Sequence, residues 1–100
     1  MTEIDIPLPT GATTAQVKRS VDIACRTLGL TISLETSLAG HPNSTHWHIK
    51  MGKEKGTLEL TTWPGHRLLW AKIQAGRRAD WIDRVLPQLS EIIQGAVDEA

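Results

Sequence analysis

The chain has no phenylalanine and no tyrosine, so aromatic contacts in its 100 residues fall to Trp47, Trp63, Trp70 and Trp81. It has a single cysteine, Cys25, which excludes an internal disulfide framework and any cysteine-based zinc cluster. Its eleven basic and eleven acidic residues cancel, so the uniformly basic footprint of many nucleic-acid-binding domains is missing. No stretch approaches the roughly 20 apolar residues of a membrane-spanning helix. The start, MTEIDIPLPTG, has no basic segment and interrupts its apolar positions with Asp5, Pro7 and Pro9, unlike a secretory leader. A lone thiol behind such a start implies a reducing, cytoplasmic setting and no membrane partner.

What is there is a globular composition, 40% hydrophobic and 22% charged. A chain this long hides roughly 60–65% of its unfolded surface, enough for one domain and too little for two. Charge is unevenly spread. Residues 45–78 carry seven Lys/Arg against Glu54 and Glu59, whereas residues 79–100 carry Arg84 against five acids. The middle is basic and the tail acidic.

Residues 1–12 alternate Ile4, Ile6 and Leu8 with polar residues and prolines. This predicts an extended N-terminal arm or a poor edge strand, because each proline removes a ladder donor. Residues 13–100 then form a single α+β domain. Thr13 and Gln16 have capping-box spacing. Val17, Val21, Ala24 and Leu28 repeat at helical period, and Gly29 supplies a left-handed residue to stop the helix.

After Gly29 the period changes from 3.6 to 2. LTISLET points Leu30, Ile32 and Leu34 inward; THWHIKM points Trp47, Ile49 and Met51 inward and His46, His48 and Lys50 outward. TLELTTW turns Leu58 and Leu60 in and Thr57, Glu59, Thr61 and Trp63 out. RLLWAKIQ turns Leu69, Ala71 and Ile73 in and Leu68, Trp70 and Lys72 out. A C-terminal helix comes last, with Asp80 as its cap, a stripe of Ile82, Val85, Leu89, Ile92 and Ala96 widened by Leu86 and Ile93, and Pro87 expected to kink or split it. Helix, four closely spaced strands and helix imply a four-stranded antiparallel meander sheet, in a two-layer sandwich with both terminal helices on one face.

The far face then decides function. A tight turn at Pro64-Gly65 sets Trp63 opposite His66 and Glu59 opposite Trp70. Pairing Met51 with Leu58 sets Lys50 opposite Glu59, while a slip by two residues sets His48 there instead. This face holds Trp63, Trp70, Leu68, His46, His48 and Lys50, with Arg67 beside it. Large apolar side chains among histidines and lysines suggest a surface that is covered in use.

Four chemistries compete for it. His46-x-His48 aims two imidazoles to one side with Glu59 or Thr61 nearby, but a zinc site wants at least three ligands, and His66 is expected ~10 Å from His46, two strand spacings away. The expectation is therefore no metal and no cofactor, with metal binding through His46 and His48 an alternative. Exposed tryptophans amid Lys50, Arg67, Lys72, Arg77 and Arg78 would suit stacked single-stranded nucleic acid, a second alternative. Against it stand the zero net charge and the central Glu59. No nucleophile elbow, phosphate-binding glycine loop or zinc-helix motif appears, and Cys25 lies beside an apolar stripe, so an enzyme is not expected. The preferred expectation is a non-enzymatic binding or regulatory module that uses the open face to homodimerise or to bind a protein partner, tryptophan and arginine being the residues most enriched at such contacts.

Overall fold

The computed structural model describes residues 1–66 and 68–98; Arg67, one of the expected surface residues, lies outside them. The elements run β1 (Thr2–Asp5), α1 (Thr14–Leu28), β2 (Thr31–Thr36), β3 (Thr45–Lys50), β4 (Leu58–Trp63), a 3₁₀ turn (Pro64–His66), β5 (Leu68–Ile73) and α2 (Asp80–Asp98). The architecture is a two-layer α+β sandwich. Its antiparallel sheet has five strands, not four, in the order β1-β5-β4-β3-β2.

The extra strand comes from the N-terminal arm. Residues Thr2–Asp5 precede both prolines, so each keeps its amide hydrogen and pairs with β5 from Thr2 opposite Ile73 to Asp5 opposite Trp70. One further bond, Ile6 N–H to the Leu69 carbonyl at 2.8 Å, closes the ladder just before Pro7. An edge position tolerates Pro7 and Pro9 beyond it, since an edge strand has a partner on one side only. Ile6 ends up buried in the core.

Helix α1 is bounded as its sequence dictates. The Thr13 hydroxyl accepts from the Gln16 amide at 3.1 Å, and the Gln16 side chain accepts from the Thr13 amide at 2.8 Å. Gly29 takes φ 70, letting its own N–H reach the Arg26 carbonyl and the Leu30 N–H reach that of Cys25; those bonds satisfy carbonyls the helix end would otherwise strand. Helix α2 runs unbroken through Pro87, with Asp80 as its first residue. It buries Trp81, Ile82, Val85, Leu86, Leu89, Ile93 and Val97, with Ile92 packed against them, so the expected stripe holds except that Val97 replaces Ala96 at its end.

Trp47, Ile49, Leu58, Leu60, Leu69, Ala71 and Ile73 meet Val17, Val21, Ala24 and the α2 stripe in one core. The alternation fails at one point: a register shift between Ile32 and Leu34. A bulge of this kind adds one residue and turns later side chains to the opposite face. Leu34 therefore lies on the far face opposite His48, and Glu35 lies opposite Trp47, whose indole N–H it accepts at 2.9 Å.

Both hairpin registers differ by two residues from the favoured pairings, the β3–β4 one by the slip the sequence left open. Between β4 and β5 the 3₁₀ turn lengthens the connection, so Trp63 pairs with Leu68, Thr61 with Trp70 and Glu59 with Lys72. Between β3 and β4, His48 pairs with Glu59 and His46 with Thr61. Lys50 instead reaches into the hairpin loop, donating to the Gly56 carbonyl at 2.6 Å and the Thr57 hydroxyl at 3.2 Å.

Candidate functional site

The face away from the helices is concave. Its strands contribute His46 and His48 from β3, Glu59 and Thr61 from β4, and Leu68, Trp70 and Lys72 from β5, all outward by the registers above. Two further pieces raise its rim. Strand β1 brings Glu3 beside Lys72 and Asp5 beside Trp70. The β2–β3 loop brings Leu38 and His41. Together with Gln74 they line a cleft of about 650 Å³, within the usual range for small-molecule sites.

The most buried polar residues lining it include two ionisable groups. His46 is 7% exposed, Glu59 4% and Thr61 2%. Burying such groups is costly unless each is partnered, and each one is. The His46 Nδ1 lies 2.7 Å from the Thr61 hydroxyl, and its Nε2 lies 3.3 Å from Glu59 Oε1. The His48 Nε2 stands 3.9 Å from the same oxygen. The other carboxylate oxygen, Oε2, accepts from the Gln74 amide at 2.6 Å and faces the Arg77 guanidinium at 3.5 Å. Burial holds the His46 imidazole below its ordinary 6.5; His48 and Lys72 push the same way, and Glu59 opposes them.

One ligand atom each from His46, His48 and Glu59 lies within 4.8 Å of the others. The two-residue register slip brings this about, because it sets Glu59 directly across from His48. The expectation that the histidines lack a third ligand is thereby corrected. The same atoms also trace a hydroxyl–imidazole–carboxylate line from Thr61 through His46 to Glu59. With so little of Thr61 exposed, its hydroxyl serves as an orienting partner for the imidazole and is poorly placed to attack a substrate.

Compared with protein-family models, curated proteins and solved structures, the chain matches none.

The structure gathers Trp63, Trp70, Leu68, His46 and His48 on one face, but their surroundings differ. Trp63 is clasped by its own neighbours: its indole N–H donates to the Pro42 carbonyl at 2.8 Å, and His41 and His66 pack on the ring at centroid distances of 4.6 and 3.6 Å. Trp70 is half-buried along the cleft, with His41 6.1 Å away. Leu68 is 43% exposed. Lys50 is committed to its hairpin and does not line the cleft. Sequence reasoning placed Arg77 only among the basic residues and not beside Glu59, and it missed Gln74, which lies beyond the last strand, and His41, which lies in a loop without periodicity. It also missed Glu3 and Asp5, whose face depends on β1 joining the sheet. No helix among the described residues is long and apolar enough to cross a membrane.

Proposed function

We propose that this chain is a non-enzymatic binding module whose ligand enters the cleft on the far face of the sheet. One observation carries the reading: a buried, fully partnered His46–Glu59 pair forms the floor of an open cleft. Burying an imidazole and a carboxylate is costly unless both are partnered, and simpler polar residues would close the same face without that cost. Glu3, Asp5 and Glu59 outnumber Lys72 among the lining charges, which favours a cationic or metal-bearing ligand over a polyanion such as nucleic acid. The buried free thiol of Cys25 supports a reducing, cytoplasmic setting.

Thermal-shift measurements with small amines, small anions and a short single-stranded oligonucleotide test this reading. A rise in melting temperature with amines that Trp70→Ala removes is expected. No shift with any probe, or a shift with the oligonucleotide alone, contradicts it.

A protein partner or a second copy of the chain is the other reading. Leu34 and Leu68, each 43% exposed, flank the cleft on this face. Sedimentation of the wild type against Leu34→Asp and Leu68→Asp is its test: a dimer that dissociates in both variants supports it, and a wild-type monomer at every concentration rules out self-association.

A further inference from the structure

We propose that His46, His48 and Glu59 form a binding site for one divalent transition-metal ion of the zinc type, opening into the cleft. The proposal shares the cleft with the reading above but needs no organic ligand to enter it. Two imidazoles and a carboxylate suit zinc or ferrous iron, whereas magnesium and calcium prefer all-oxygen sites.

The spacing fits before any ion arrives. Bonds of ~2.1 Å in a tetrahedron put neighbouring ligand atoms ~3.4 Å apart. Glu59 Oε1 lies 3.3 Å from one Nε2 and 3.9 Å from the other, and no ligand pair is more than 4.8 Å apart, so side-chain rotation that draws the two imidazoles together closes the triangle. All three ligands sit on adjacent paired strands, which limits the backbone freedom an ion would have to remove.

The outer contacts orient the ligands in the way metal sites require. Gln74 and Arg77 hold Glu59 by Oε2 and leave Oε1 turned towards the imidazoles. The Thr61 hydroxyl matches either tautomer of His46. Without metal, it donates to Nδ1 while Nε2–H donates to Glu59. With metal, Nδ1–H donates to it and Nε2 offers its lone pair. His46 thus changes role without leaving a buried polar atom unsatisfied. Three protein ligands leave at least one coordination position for water or for a ligand in the cleft.

The test uses tag-free, metal-stripped protein titrated with zinc chloride by calorimetry, and with cobalt(II) followed by visible absorption. One zinc per chain is expected, lost in His48→Ala and Glu59→Gln and retained in His66→Ala. Thr61→Val, which removes only the orienting hydroxyl, is expected to weaken binding about 10- to 100-fold. No saturable binding in micromolar zinc, or binding unchanged in both ligand variants, overturns the proposal. Should those variants fail to fold, the wild-type cobalt spectrum decides. Intense bands of a four- or five-coordinate ion support the site, and the weak spectrum of an octahedral aquo ion overturns it. Trp70→Ala separates the two readings, since it removes an organic ligand's contact while leaving zinc affinity intact.

Discussion

At Gly56 the backbone takes φ +99, and an added Cβ would lie 2.7 Å from the Ala79 Cβ and 3.0 Å from the Arg77 carbonyl oxygen. Both the conformation and the space demand glycine. Gly56→Ala is expected to cost about 1–3 kcal/mol of stability, the range for a strained backbone position, measured by urea unfolding. At Cys25, burial and the nearby Asp22 carboxylate push the thiol up to about 11. Thiolate is the reactive form, so a disulfide reagent at neutral pH is expected to label Cys25 only as fast as the chain unfolds. Labelling at the rate of a free thiol would contradict this burial. The site was partly legible at this scale: strict alternation in THWHIKM announced that His46 and His48 share a face. That Glu59 completes the cluster was legible only as one of two registers, because alternation leaves the register free by steps of two.

Elements were readable wherever a local signal marks them. Thr13 with Gln16 starts α1, and Gly29 ends it, because those bonds form within a few residues of chain. Strand β1 was legible only as one of two alternatives, arm or edge strand, because its stability comes from pairing with residues about seventy positions away. The bulge between Ile32 and Leu34 was equally hidden; nothing in LTISLET breaks its alternation. A direct check on β1 is Ile6→Ala, expected to cost about 2–5 kcal/mol as a buried large-to-small change. A loose arm would show almost no effect in the same denaturation experiment. In α2, Pro87 sits exposed inside an unbroken helix and withholds one backbone hydrogen bond. Pro87→Ala is expected to raise stability by about 1–3 kcal/mol, readable as a higher melting temperature.

The whole molecule is divided by its sheet. One side is sealed by two helices over an aliphatic core, and the other carries the imidazoles, the buried carboxylate and the cleft. The proposed site and the helix-packed core therefore occupy opposite faces, so outward substitutions such as His48→Ala can report on binding without opening the core. Zero net charge conceals this arrangement: Glu3 and Asp5 from β1 meet Lys72 from β5 on the far face only after the sheet assembles. The most direct measurement is the imidazole ¹H–¹⁵N spectrum of tag-free protein during zinc titration. Resonances of His46 and His48 are expected to move together and saturate at one ion per chain, while those of His66 stay in place. Unmoved His46 and His48 resonances at saturating zinc would contradict the account.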